Sequence, residues 1–140
     1  MTTPSDDSGQ GRHVLIVDDD PSIRALVKLI FERADFIVDS AVDGQEALDK
    51  LAGDTSYNVV ILDLTMPKRS GFDVIEALKR EPPEGLKGVV VMTALDRELR
   101  ESDRALVCAI VRKPFDVGDL KKRVQACIDR STSADFQDNI

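Results

Sequence analysis

The sequence predicts an open α/β domain, a five-stranded parallel sheet with helices on both faces. Three observations predict it. Five short apolar, β-branched runs alternate with five segments of helical spacing, the pattern of repeated βα units. Two of the runs stop at aspartate: His13-Val14-Leu15-Ile16-Val17 at Asp18-Asp19-Asp20, and Val59-Val60-Ile61-Leu62 at Asp63. At 140 residues the chain matches one domain, which buries roughly two thirds of its unfolded surface and so forms a full core without staples.

Each element has its own signal. Residues 1–11 hold almost nothing apolar and read as a flexible lead; the domain runs from 12 to 130. After the first strand, Asp20 is placed to cap and Pro21 to start a helix whose Ile23, Leu26, Val27, Ile30 and Phe31 recur at helical spacing. Phe36-Ile37-Val38 gives a short second strand. Asp43-Gly44 then opens a helix with Ala47, Leu48, Leu51 and Ala52 on its apolar face. The third strand ends at Asp63, and the loop from Leu64 to Gly71 leads to a helix with Val74, Ile75 and Leu78 inward, closed by Pro82-Pro83. Val89-Val90-Val91-Met92 is the fourth strand and reaches Thr93. Asp96 to Leu106 is a charged helical candidate with a thin apolar stripe, the least firmly held of the five. Ala109-Ile110-Val111 is the fifth strand, followed by Arg112-Lys113-Pro114-Phe115 and a helix burying Val117, Leu120, Val124, Cys127 and Ile128. From Ser131 to 140 the chain reads as a polar tail that frays.

Composition narrows the function. A net charge of −7, from 19 basic and 26 acidic residues, opposes phosphate backbones, so no direct nucleic-acid binding is expected. No apolar run approaches the ~20 residues of a membrane span, and the first twelve residues lack a secretory pattern, so the expected location is cytoplasmic. Cys108 and Cys127 form no CxxC pair, and His13 is the single histidine, which leaves no zinc-ligand set. Both cysteines read as small buried hydrophobes with free thiols.

In a right-handed parallel sheet the strand C-termini share one edge, where ligands of open α/β sheets bind. Asp18, Asp19, Asp63, Thr93 and Lys113 all fall on that edge. Three uncompensated carboxylates packed together would repel and take up protons, so the cluster implies a hard cation with oxygen ligands, most naturally Mg²⁺. Taken singly, the features have plainer readings. Asp18-Asp19-Asp20 could be a solvated turn, with Asp20 only a helix cap; Thr93 could simply end a strand, and Lys113 could be a surface lysine.

Together the residues resemble the receiver domain of bacterial two-component response regulators, over roughly residues 12 to 130. Val17-Asp18-Asp19-Asp20-Pro21 resembles its acidic-pair motif, and Leu62-Asp63-Leu64-Thr65-Met66-Pro67 through Gly71 its phosphoacceptor loop. Met92-Thr93-Ala94 resembles its switch hydroxyl, and Lys113-Pro114-Phe115 its lysine motif. The resemblance implies a flavodoxin-like, doubly wound (βα)5 fold with strand order 2-1-3-4-5. It also implies that Asp63 is the phosphoacceptor, storing the phosphoryl group as a labile mixed anhydride. Mg²⁺ would be held by Asp19, Asp63 and the backbone carbonyl of Thr65, with Asp18 acting through a bound water. Lys113 would neutralise a phosphoryl oxygen, Thr93 would donate its hydroxyl and draw its loop inward, and a cis Lys113-Pro114 bond would aim the lysine.

One position departs from the family pattern. Where many receivers carry a switch aromatic, three residues before the lysine, this chain has Ile110, whose stiff χ1 has no ring to swing. Readout is therefore expected to rest on movement of the 96–106 helix. The implied role is a stand-alone phospho-receiver, unless the chain is a fragment of a longer regulator, and not a conventional enzyme though it catalyses its own modification. A sensor histidine kinase or histidine phosphotransfer protein would be the donor. A downstream protein would bind the face formed by the fourth helix, fifth strand and fifth helix, and the chain would be a monomer or a phosphorylation-linked homodimer. Two other classes compete. A haloacid dehalogenase-type phosphatase would use Asp18 as nucleophile but needs a larger core and leaves the Asp63 loop unexplained; an unphosphorylated interaction module would keep only the fold.

Overall fold

The computed structural model describes residues 11–66, 70–94 and 99–137, with side chains through residue 129. The elements run β1 (His13–Val17), α1 (Pro21–Arg33), β2 (Ile37–Ala41), α2 (Gly44–Leu51), β3 (Val59–Asp63), α3 (Gly71–Arg80), β4 (Gly88–Thr93), a 3-10 turn (Glu101–Asp103), β5 (Val107–Arg112) and α4 (Val117–Gln137). The strands form one parallel sheet in the order β2-β1-β3-β4-β5. This is the flavodoxin-like doubly wound fold, with four α-helices among the described residues.

The sheet divides two apolar layers, and side-chain alternation along β1 sorts them. Val14 and Ile16 face α1 and α4, where they meet Val27, Phe31, Leu120 and Val124. Leu15 and Val17 face α2 and α3, where they meet Ala47, Val74 and Leu78. Strands β3 and β4 are buried throughout, which explains their continuous apolar runs. At the lower edge Asn58 laces three strands. Its backbone N–H donates to the His13 carbonyl (2.8 Å), its Oδ1 accepts from His13 N (2.8 Å), and its carbonyl accepts from Lys87 N (2.7 Å).

Caps fix the helix starts. Asp20 Oδ1 accepts from Ser22 N at 2.8 Å with Pro21 in the first turn of α1, as the sequence predicts. Asp43 caps α2 through Glu46 N (2.8 Å), and Ser70 and Asp73 cap α3 reciprocally.

The structure corrects five expectations. Instead of a helix from Asp96 to Leu106, the described part of that segment holds only the 3-10 turn. Residues 95–98 lie outside the described residues. Among the described residues of that segment Leu99 is buried and Leu106 packs partly against the same layer. Asp103, 1% exposed, accepts instead from Arg100 N (3.1 Å) and Lys79 Nζ (2.8 Å), a local turn geometry that competes with helix. Strand β2 lies further along than 36–38: paired on one side only, it buries Val38 in one apolar layer and Ala41 in the other, and its edge position leaves Asp39 and Ser40 half-exposed between them.

Strand β5 is longer than 109–111 and contains a bulge. Val89 pairs with Val107 but Val90 with Ala109, so Cys108 is the extra residue. Cys108 and Cys127 are not free thiols: their Cα atoms are 5.8 Å apart and they form a disulfide. Finally, α4 continues past Ser131 to Gln137, through most of the segment read as a tail. The lead, apart from Gly11, and residues 67–69 of the loop after Asp63 lie outside the described residues.

Candidate functional site

The C-terminal edge of the sheet gathers the predicted residues. Because β1 and β3 are neighbours in register, with Val17 opposite Leu62, the residues that follow them are brought side by side. Oxygens of Asp18, Asp19 and Asp63 all lie within 4.8 Å of one another. Asp18 is fully buried and Asp63 nearly so, whereas Asp19 is exposed. Lys113 enters from the end of β5, its Nζ 3.0 Å from Asp18 Oδ2 and 3.4 Å from Asp63 Oδ2. The Lys113-Pro114 peptide is cis, and Lys113 N donates to the Thr93 carbonyl at 2.9 Å.

Backbone donors orient the carboxylates. Asp18 Oδ1 accepts from Asp20 N (2.9 Å), and Asp63 Oδ1 from Thr65 N (3.1 Å). Arg24, which the sequence reading did not single out, donates through Nη1 to the Asp18 carbonyl at 2.8 Å and ties α1 to the site. Its signal is weak: one arginine on the polar side of an amphipathic helix. Thr93 ends β4 one residue beyond Met92, the partner of Asp63, and is 3% exposed. Ile110, by contrast, stands away from this edge on β5 with 39% of its surface exposed.

Gly71 makes the loop after Asp63 possible. A Cβ there would stand 2.4 Å from the Asp63 carbonyl oxygen and 2.7 Å from Leu64 Cα, so the start of α3 can press against the Asp63 backbone only as glycine. Gly71 N donates to the Leu64 carbonyl at 3.1 Å and closes the loop.

The electrostatics follow from burial and crowding. Burial, reinforced by the Asp18 charge, raises the Asp63 pKa above the ordinary carboxylate value, against the Thr65 hydrogen bond and the Lys113 charge. Burial by itself would lower Lys113. The hydrogen bond and charge of Asp18, then those of Asp63, outweigh it, and the lysine is held above its ordinary value. Among the described residues one cation, Lys113, thus meets the three clustered carboxylates, and a set of donors that are all oxygen atoms suits a hard divalent cation such as Mg²⁺.

Beside this cluster lies an open, mostly apolar cavity of about 450 Å³ lined by Ile23, Leu26, Ala94, Lys113, Pro114 and Phe115. Leu26, placed on the buried face of its helix by spacing alone, is 42% exposed and forms part of this rim. Helical period cannot distinguish a core-facing leucine from one at the border of the stripe.

Known proteins share this architecture. The family model for the response regulator receiver domain matches residues 14–125. The transcriptional regulatory protein CpxR of Escherichia coli K12 is 35% identical over 131 residues, covering 90% of this chain and 53% of CpxR. The DNA-binding dual master transcriptional regulator RpaA of Synechocystis is 34% identical over 121 residues, covering 84% of this chain and 49% of RpaA. The chain therefore spans about half the length of the curated relatives it matches. Among solved structures, a CheY-like receiver domain protein from Methanospirillum hungatei superposes with a TM-score of 0.75 at 31% identity, covering 86% of this chain and 97% of that one. The response regulator TrrA of Thermotoga maritima, solved in complex with Mg²⁺-BeF, gives 0.70 at 29% identity, covering 83% and 98%. The chain belongs to the response regulator receiver domain family of two-component systems.

Proposed function

We propose that Asp63 accepts a phosphoryl group from a phosphohistidine, supplied by a sensor histidine kinase or a histidine phosphotransfer protein. The observation that carries this reading is the position of Asp63: among the other two carboxylates, 3.4 Å from Lys113, at the ligand edge of the sheet. Asp19, Asp63 and the Thr65 carbonyl would hold Mg²⁺, with Asp18 reached through a water. When bound, the ion supplies charge neutralisation for the phosphoryl oxygens.

The residues of the chain do the rest. Asp63 attacks phosphorus as a carboxylate, the donor imidazole leaves, and the mixed anhydride remains on the side chain. Lys113 moves its interaction from the carboxylates to a phosphoryl oxygen, and Thr93 donates its hydroxyl to another. The apolar rim of Ile23, Leu26, Pro114 and Phe115 offers a donor helix somewhere to rest beside Asp63. In this reading the domain extends over residues 12–130. Output passes to a protein partner, or to a second copy, through the 99–106 segment, β5 and α4. With isoleucine at 110 and no helix in the described part of that segment, the turn around Asp103 takes the place of an aromatic switch.

Incubation with Mg²⁺ and acetyl phosphate, followed by intact mass and peptide mapping, tests the proposal. The expected result is one phosphoryl group on Asp63, absent from Asp63→Asn. Label trapped on Asp18 with turnover of phosphate esters would instead identify a phosphatase, and absence of label would identify an interaction module.

A further inference from the structure

We propose that Cys108 and Cys127 form a reversible thiol–disulfide site that makes the shape of the β5 edge depend on thiol redox state. Three features of different elements converge on it. The bulge makes Cys108 the unpaired extra residue of β5, so both Cys108 and Ala109 turn toward the layer containing α4. Cys127 lies on the inward face of α4, 1% exposed, with its Cα 5.8 Å from that of Cys108. On the neighbouring strand, Gly88 leaves the room the bridge occupies. A Cβ there would stand 2.9 Å from Cys108 Sγ and 3.0 Å from Cys127 Sγ.

Access is one-sided. Cys127 is sealed in the core, but Cys108 is partly exposed and lines a cavity of about 160 Å³ with Leu99, Arg104, Val107, Ala109 and Ile110. A thiolate entering there attacks Cys108 Sγ, forming a mixed disulfide and expelling the Cys127 thiolate. The second thiol of a dithiol reductant then attacks the reductant's own sulfur, becomes its disulfide and releases the Cys108 thiolate. Both protein thiolates take up protons, so two electrons and two protons pass from reductant to protein; oxidation by a small-molecule disulfide runs the same steps backward. The reduced form is also provided for, since Cys108 Sγ lies 3.5 Å from the Val89 carbonyl oxygen, within reach of a thiol donor. Cleavage frees the lower half of an edge strand from α4 beside the exposed Ile110.

The test uses the full chain equilibrated in glutathione buffers of varied ratio, quenched with acid and alkylated. Intact mass is expected to show two populations, with no thiol or two thiols modified, interconverting under native conditions. Amide exchange over 107–110 is expected to be at least ~10-fold faster in the reduced form, with β1 and β3 unchanged. Gly88→Ala, which keeps both thiols, is expected to lower the disulfide fraction at a fixed buffer ratio at least ~10-fold. Should that variant not fold, the Cys108→Ser, Cys127→Ser pair is expected to exchange like the reduced protein in every buffer. The proposal is overturned if the bridge does not form in oxidised glutathione, if a dithiol cannot open it without denaturant, or if exchange over 107–110 is the same in both states.

Discussion

Lys113 Nζ donates to Asp18 Oδ2 at 3.0 Å, a contact between residues 95 apart in the chain. The lysine also reaches Asp63 at 3.4 Å, so among the described residues it is the cation that bridges the two buried carboxylates of the cluster. Lys113→Met is therefore expected to destabilise the metal-free protein by about 3 kcal/mol, because the fully buried Asp18 is left uncompensated. The same change is expected to tighten Mg²⁺ binding and to slow labelling of Asp63 by acetyl phosphate about 100-fold. Calorimetry, urea unfolding and labelling kinetics read the three effects.

Asp19 separates metal binding from folding. Its carboxylate is exposed but lies within 4.8 Å of those of Asp18 and Asp63, so Asp19→Asn is expected to leave the metal-free protein at least as stable, by up to about 1 kcal/mol through relief of repulsion. Mg²⁺ at 100 times its dissociation constant is expected to stabilise the parent protein by about 2.7 kcal/mol, and the variant far less at the same concentration. Thermal unfolding with and without the ion decides it; an equal rise in midpoint in both proteins would exclude Asp19 as a ligand.

The buried Asp103 should make stability depend on pH. Burial tends to raise its pKa, but the Lys79 hydrogen bond and the Arg100 backbone donor, helped by both positive charges, bring it below the ordinary value. A lowered folded pKa gives stability that is complete above the unfolded value of about 3.9 and is lost as pH falls through the folded one. Asp103→Asn is expected to flatten this acid limb and to cost about 2 kcal/mol at neutral pH. Parallel urea titrations from neutral to acid pH measure it, and parallel curves would refute it.

Gly71→Ala probes the loop that presents Asp63. With a Cβ 2.4 Å from the Asp63 carbonyl oxygen, α3 or the loop must shift, at a cost of about 3 kcal/mol. Asp63 labelling is expected to fall with it. Retention of both wild-type stability and wild-type labelling rate would show that the loop accommodates a methyl group.

How much was legible in the sequence depended on whether a feature was local. Runs such as Val59 to Leu62 ending at Asp63 carry their burial and their strand end in the same few residues, and Asp20-Pro21 carries its own cap. The site could be assembled because strand order puts such ends on one edge. Asp103 was not legible, since a charged residue in a turn gives no sign that Lys79, on α3, will hold it in the interior. The disulfide and bulge were not legible either. They depend on Gly88, Cys108 and Cys127 meeting across three elements, and two isolated cysteines read equally well as small hydrophobes. Polar Asp39 and Ser40 hid the end of β2, because a strand at the edge of a sheet keeps its ladder on one side while polar side chains on both faces reach water past that edge.

The extra residue in β5 works as an expansion joint. Above it, the strand is indexed by Thr93 and Lys113; below it, by Val89 and Val107. Slack taken up at Cys108 need not reach the lysine, so the lower half can be loosened or tightened without disturbing the acidic cluster. Two chemical inputs, one at each end of a single strand, could then be registered independently on one outer face.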